Sequence, residues 1–209
     1  VDIAAFNNAI TEKKLEDSDL NAGKFNVIYV GAIRPVNNVG NILDAAALLK
    51  NDKNIQFIIY GDGSQKEMLD KRIVDEGLLN VKMKGFVNKQ FIPYILSKSS
   101  INILNYSQTQ YNWSRGNSSN KLFEYMASGK PIISTVKMGY SIIEKYKCGL
   151  EIEDAKGKDL AEAILNIKNM PNEEYKKLGL NARTGAQDFD FKILTSKLIE
   201  VINSLMEKK

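Results

Sequence analysis

The sequence predicts a doubly wound α/β domain: a Rossmann-like parallel sheet with helices on both faces, followed by a helical C-terminal tail. Three observations carry this. Short β-branched or apolar stretches, several ending in glycine, recur through most of the 209 residues. Segments with helical spacing separate them, and a run of helical segments closes the chain. Alternation of strand and helix calls for crossover connections, which are right-handed and lay helices over both faces of a buried sheet.

The strands are read in order at FNVIYVG (25–31), IQFIIYG (55–61), VKMKG (81–85), INILNY (101–106), PIIST (131–135) and CGLEIE (148–153). Each is too short for a helix and bounded by turn residues. Between them NILDAAALLK (41–50), SQKEMLDKRIVDEG (64–77), NKQFIPYILSKS (88–99) and SNKLFEYMASG (119–129) show helical spacing. The tail comprises 158–170, 172–189 and 191–209, the last placing Ile193, Leu194, Leu198, Val201, Ile202 and Leu205 on one stripe. No repeat, low-complexity segment or linker interrupts the pattern, so 1–209 reads as one domain with 188–209 its terminal helix.

A hydrophobic content of 44% suffices for one sizeable core. Lysine and arginine exceed aspartate and glutamate by 29 to 25, and the lysines are scattered rather than gathered in a stripe, which argues against a nucleic-acid partner. Cys148 is the only cysteine, so neither a disulfide framework nor a thiolate metal site can form within one chain, and it is expected in the core. There is no charged-then-apolar leader, and no apolar run approaches the roughly 18 residues that span a bilayer, so a soluble, cytoplasmic segment is expected. Histidine, the usual general base near neutral pH, is absent. Either carboxylates and backbone groups suffice, or part of an active site lies on another segment.

In such folds ligands bind at the carboxyl ends of the strands. The loops there are GAIRPVNNVG (31–40), GDGSQ (61–65), GFVNK (85–89) and NYSQTQYNWSRGNSSNK (105–121). Gly31 and Gly61 would let backbone amides approach a ligand, and the helix behind each loop points its positive end at the crevice, so an anion is the expected guest. Ordinary turn chemistry accounts for any one of these glycines equally well. With a helix starting near Ser118 or Ser119, Lys121, Glu124 and Ser128 fall on one face toward the crevice, and Leu122, Phe123 and Met126 on the buried side. Lysine in a first turn opposes the helix dipole, and Lys-before-Glu is the poorer order. A bound phosphate would reverse that cost; a solvated Lys–Glu pair is the alternative.

KLFEYMASGKPII, preceded by a glycine-containing polar loop, resembles the donor-binding segment of GT-B glycosyltransferases of the family-4 type (glycosyl transferases group 1), in the variant found in bacterial capsule and O-antigen transferases of polysaccharide biosynthesis. YVGAIRPVNNVGNILDAAALLK, FIIYGDGSQKEML, VKMKGFVNKQFIPYILSKSSINIL and YKCGLEIEDAKGKDLAEAI match further family segments in order, so nearly the whole chain is covered. The resemblance implies the C-terminal, nucleotide-sugar-binding half of a two-domain enzyme, VDIAAFNN following the interdomain link and the terminal helix crossing back to an N-terminal acceptor domain. It implies retaining transfer of a sugar from a UDP- or, second, GDP-linked donor to a glycan or lipid-linked acceptor, with attachment to the inner membrane face through that other domain. This half alone is expected to be inactive and either to self-associate or to fold its terminal helix onto itself through the uncovered stripe.

The resemblance also assigns roles. Glu124 takes the place of the second of two family glutamates and would accept the ribose hydroxyls. The first falls at Gly116, leaving Asn117, Ser118, Ser119 and Asn120 to meet the donor sugar with amides and hydroxyls. The family's basic pair aligns with the uncharged Ala32 and Asn37, so Lys121, then Arg34, with Arg115 also in reach, would stabilise the diphosphate. Backbone groups of Phe86 and Val87 would hold the base, the Phe86 ring going to the core as the alternative. No Asp-x-Asp occurs, and neither metal nor cofactor is expected. A nucleotide-sugar 2-epimerase of similar fold and a non-catalytic nucleotide-binding module are the rival readings.

Overall fold

The computed structural model describes residues 1–110, 112–117 and 119–206. The predicted strands form β1 (Phe25–Val30), β2 (Ile55–Tyr60), β3 (Val81–Gly85), β4 (Ile101–Leu104), β5 (Ile132–Ser134) and β6 (Gly149–Glu151). All pair in parallel in the order β3-β2-β1-β4-β5-β6. The chain starts at the centre, winds to one edge, then returns to wind to the other. The winding direction therefore reverses between β1 and β4, and a crevice opens there at the carboxyl ends.

The helices are α1 (Ile3–Glu12), α2 (Val39–Leu48), α3 (Lys66–Asp75), α4 (Ile92–Ser97), α5 (Asn120–Ala127), α6 (Ile142–Tyr146), α7 (Gly157–Asn169), α8 (Asn172–Gln187) and α9 (Phe191–Met206). Side chains alternate across the sheet, as strand geometry dictates. Val27, Tyr29, Phe57 and Ile59 join Leu43, Leu69 and Ile164 on one face; Ile28, Val30, Ile58 and Tyr60 join Phe6, Ile95, Leu122 and Tyr125 on the other. Both faces are covered, so the central strands are apolar and buried apart from Asn26 and Gln56, which are buried but polar. Cys148 is fully buried, as expected. No helix among the described residues is long and apolar enough to cross a membrane.

Two helices escaped the periodicity analysis: α1, of ten residues with only Phe6 buried, and α6, of five residues. α1 is capped by Asp2, whose carboxylate accepts the Ala5 amide at 2.9 Å, and buries Phe6. α6 is capped by Ser141, whose hydroxyl accepts the Glu144 amide at 3.0 Å. The Ser-x-x-Glu spacing of a capping box is there to be read. The tail is only partly a tail: α7 packs on α2 and α8 on α5, so both complete the core. α9 alone stands off. Its stripe residues Ile193, Leu194, Leu198, Val201, Ile202 and Leu205 are 41–62% exposed.

The first residues are stitched to the start of α9. The Phe191 amide donates to the Val1 carbonyl at 2.9 Å, and the Ile3 amide to the Asp190 carboxylate at 2.9 Å.

β1 and β4 pair only through Val27 and Ile28. Beyond that point the Tyr125 hydroxyl takes the vacated edge of β1: it accepts the Val30 amide at 3.0 Å and donates to the Val30 carbonyl at 3.3 Å. One side chain of α5 thus replaces a strand neighbour and sets the helix over the crevice. Tyr125→Phe leaves a buried amide and carbonyl unmet, and is expected to lower the unfolding free energy by about 1–3 kcal/mol, read from urea denaturation. An unchanged midpoint would show that the hydroxyl has no such role.

Candidate functional site

The crevice is floored by the loops after β1 and β2, which are zipped together by backbone hydrogen bonds. The Gly31 amide donates to the Tyr60 carbonyl at 3.0 Å, Ile33 to Asp62 at 2.8 Å, and Gln65 back to Ile33 at 3.1 Å. Gly61 has φ +153°, and a Cβ there would overlap the Gly31 carbonyl oxygen. Its task is to let two backbones touch. Gly31 serves another purpose: a Cβ on it would stand 2.6 Å from the Lys121 ammonium, so its bare backbone makes room for that lysine.

Lys121, in the first turn of α5, leans back across the crevice. Its Nζ donates to the Tyr29 hydroxyl at 3.2 Å, and that hydroxyl donates to the Ala32 carbonyl at 2.8 Å. The ammonium also lies over the Tyr29 and Tyr106 rings, 4.4 and 5.1 Å from their centroids. Burial pushes its pKa down from 10.5 to about 8, the Glu124 carboxylate opposing only in part. The group is a cation near neutral pH that is poorly solvated and has no carboxylate within ion-pair distance among the described residues.

Glu124 faces elsewhere. It lines a cavity of about 420 Å³ with Asn120, Lys89, Gln90, Phe6 and Phe191. Lys89 approaches its carboxylate at 3.9 Å, and burial raises its pKa against that pull. Lys121 and Glu124 therefore straddle α5 rather than share one polar face. Ser128, expected on that face, is buried: its hydroxyl accepts from Asn102 at 3.0 Å and donates to the Tyr125 carbonyl at 2.6 Å. A hydroxyl that can satisfy itself on its own helix carries no amphipathic information.

On the other side of the α5 N-terminus lies a second cavity of about 420 Å³, lined by Asn37, Tyr106, Asn112, Trp113, Asn117 and Ser119 among others. The Tyr106 and Trp113 rings meet at 5.0 Å, and the Tyr106 hydroxyl reaches Ser119 Oγ at 3.2 Å. Asn117 accepts the Ser119 amide at 2.8 Å. Gly116 lines this cavity at φ +78°, and a Cβ on it would stand 2.6 Å from the Tyr140 carbonyl oxygen. The loop is built around the absence of a side chain where the resemblance places a glutamate. Ser118 lies outside the described residues.

Arg34 is exposed on the loop after β1, and among the described residues its side chain makes no hydrogen bond or ion pair. The Phe86 ring is 79% exposed, which overturns its alternative placement in the core. Backbone groups of Phe86 and Val87 make no hydrogen bonds among the described residues, and Val87 packs on the core. Tyr29, Tyr106, Trp113 and Lys89 are site residues that sequence reasoning did not single out, and Asn37 entered it only as an uncharged position of the family's basic pair. The aromatic residues within loop 105–121 were the signal available for Tyr106 and Trp113.

The family profile of glycosyl transferases group 1 matches residues 10–185. The chain belongs to this family. It is 27% identical over 148 residues to an alpha-D-kanosaminyltransferase of Streptomyces kanamyceticus, covering 69% of this chain and 36% of that protein. It is 30% identical over 145 residues to a poly(ribitol-phosphate) alpha-N-acetylglucosaminyltransferase of Staphylococcus aureus (strain COL), covering 68% of this chain and 28% of that protein. A crystal structure of an S. aureus TarM mutant in complex with Fondaparinux, alpha-GlcNAc-glycerol and UDP matches with TM-score 0.69 at 26% identity, over 87% of this chain and 35% of that one. The chain thus spans about a third of the length of these relatives. The Rossmann-like half of a GT-B architecture is the shared fold.

The lysine's burial has a sign that can be measured. Below about 8 both folded and unfolded states carry the Lys121 proton, and the folded state bears the cost of a buried charge. Between about 8 and 10.5 the unfolded state holds a proton that the folded state has released, so this group makes stability rise with pH. Lys121→Met is expected to be more stable than the parent at neutral pH, the gap closing as pH rises toward 10.5. Urea denaturation of both proteins across that range checks it, and a gap independent of pH would contradict the buried cation.

Proposed function

We propose that the chain is the donor-binding half of a family-4-type retaining glycosyltransferase that moves a sugar from a UDP-sugar to a glycan or lipid-linked acceptor, as in bacterial capsule and O-antigen synthesis. One observation carries this reading: the first turn of α5 divides two cavities, with Glu124 on one, Asn117 and Ser119 on the other, and the Lys121 ammonium beside Tyr106. A nucleoside, a diphosphate and a sugar occur in that order in the donor. Glu124 accepts the ribose hydroxyls, the backbone groups of Phe86 and Val87, without hydrogen bonds among the described residues, meet the base, and Lys121 and the α5 amides meet the diphosphate. Arg34 reaches the same anion from the loop opposite. The UDP in the TarM complex favours uridine over guanosine.

The chemistry asked of this half is charge stabilisation. As the bond from the sugar C1 to the phosphate oxygen breaks, negative charge collects on the leaving diphosphate, and a cation held in place by two rings and a hydroxyl needs no reorganisation to meet it. The acceptor oxygen forms its bond to C1 on the same face, and its proton passes to the departing phosphate oxygen. That route needs no histidine, and none is in the chain. The acceptor side comes from a facing N-terminal domain within the remaining length of the relatives, and through it the protein sits at the inner face of the membrane. α9, which leaves the domain beside Val1, crosses back onto that partner, so this half alone does not turn over.

Two measurements test this. Glu124→Ala is expected to weaken UDP binding by about 1.5–3 kcal/mol, the range for hydrogen bonds to a charged group, with the unfolding transition retained; unchanged affinity in calorimetry removes the ribose assignment. The 209-residue chain alone is expected to self-associate through the α9 stripe. Light scattering should show a mass above the monomer that falls to the monomer in the Leu198→Asp, Ile202→Asp double variant, whereas a monomeric parent at high concentration rejects it.

A further inference from the structure

Tyr29 is a phenol placed where packing alone asks only for an apolar ring. It is 1% exposed and joins Val27, Phe57 and Ile59 on one face of the sheet. A buried hydroxyl has to be met, and this one is met twice. Its single proton goes to the Ala32 carbonyl at 2.8 Å, and burial keeps that proton in place by pushing the phenol well above its usual pKa. Its oxygen is left to accept from Lys121 Nζ at 3.2 Å. Gly31 leaves room for both partners, since a Cβ there would stand 3.0 Å from the hydroxyl and 2.6 Å from the ammonium. One oxygen thus joins the loop after β1 to the cation that α5 sends across the crevice.

Resting on the assignment of Lys121 to the diphosphate above, we infer that Tyr29 is a positioning residue of the donor site, whose hydroxyl holds the Lys121 ammonium charged and against the loop after β1 without itself touching the donor. A lysine is a point charge on a flexible four-carbon stem, and its end has to be fixed by partners. No carboxylate lies within ion-pair distance of it among the described residues. The Tyr29 and Tyr106 rings, 4.4 and 5.1 Å away, attract the charge through their faces without giving it a direction. The Tyr29 hydroxyl is its directional partner, and accepting from the charged form supports the proton on it. The other titratable groups about it are Tyr106 from the loop after β4 and Glu124 on its own helix.

Tyr29→Phe keeps the ring and removes the hydroxyl, and because Ala32 is exposed, water can take its place at the carbonyl, so the fold is expected to be retained. UDP binding to the 209-residue chain is compared by calorimetry in the parent, Tyr29→Phe, Lys121→Met and the double variant. Tyr29→Phe is expected to weaken UDP about fivefold or more in the parent background and by less than about twofold in the Lys121→Met background, the mark of a residue that acts through the lysine. Equal loss in both backgrounds overturns the inference, because a merely structural tyrosine costs the same in each. A second readout is the pH profile. Affinity of the parent is expected to fall as pH rises through about 8, where Lys121 releases its proton, and that of Tyr29→Phe to begin falling at lower pH, since the charged form has lost an acceptor. An unshifted profile overturns the inference as well. If UDP fails to bind the parent, or binds Lys121→Met equally well, the diphosphate assignment falls instead. The tie between the two residues is then read by NMR titration of isotope-labelled lysine side chains, Lys121 being the signal missing from Lys121→Met: a pKa lowered by Tyr29→Phe upholds it, and an unchanged one overturns it.

Discussion

The site depends on the Tyr125 hydroxyl at the edge of β1. The reversal of winding opens the crevice between β1 and β4, and the end of β1, which β4 does not pair, would there leave buried backbone groups unmet. Tyr125 meets them by supplying one donor and one acceptor to Val30 from the side of a helix. Because that helix is α5, the interaction also fixes where Lys121 and Glu124 project. Ser128, one turn further on, is tied through Asn102 to β4, so α5 is anchored to both strands that flank the crevice.

The strands were legible because a buried parallel sheet demands continuous β-branched runs, and Val27–Val30 and Ile55–Tyr60 supply them. The order of motifs made the family legible too. Side-chain direction was not. Lys121 and Glu124 stand three apart and satisfy the helical-face rule, yet a four-carbon stem let the lysine turn back over Gly31 while the shorter glutamate stayed by α4. Gly61 and Gly31 read alike as loop glycines, but one admits a backbone and the other a side chain. Periodicity cannot separate these cases, since both depend on which loop lies opposite, and that is a property of the sheet order.

Electrostatically the crevice is arranged around a deficit. The first loop carries uncharged Ala32 and Asn37, and the cation arrives instead from α5, across the crevice and over two aromatic rings. Its position in a first turn, against the dipole and largely shielded from water, costs stability in the protein by itself. An anion at the same place removes both penalties, so the arrangement favours bound over free protein more than an exposed arginine would. Arg34, solvated and unconstrained, begins with no such penalty to relieve.

The two cavities also draw their support from different parts of the fold. Glu124 and its neighbours rest on α1, α4 and the start of α9. The wall of the second cavity is held from the opposite edge of the sheet. The Gly139 amide donates to the Trp113 carbonyl at 2.9 Å, Gly116 packs on Tyr140, and the Gln108 side-chain Oε1 accepts the Lys137 amide at 3.0 Å. Glu151, at the end of β6, in turn binds the Met138 amide at 3.2 Å and the Ser141 hydroxyl at 2.9 Å. The loop after β5 thus acts as a brace for the loop after β4. Changes there move the second cavity without touching Glu124 or Lys121, so this architecture lets the lining of one cavity vary while that of the other stays fixed.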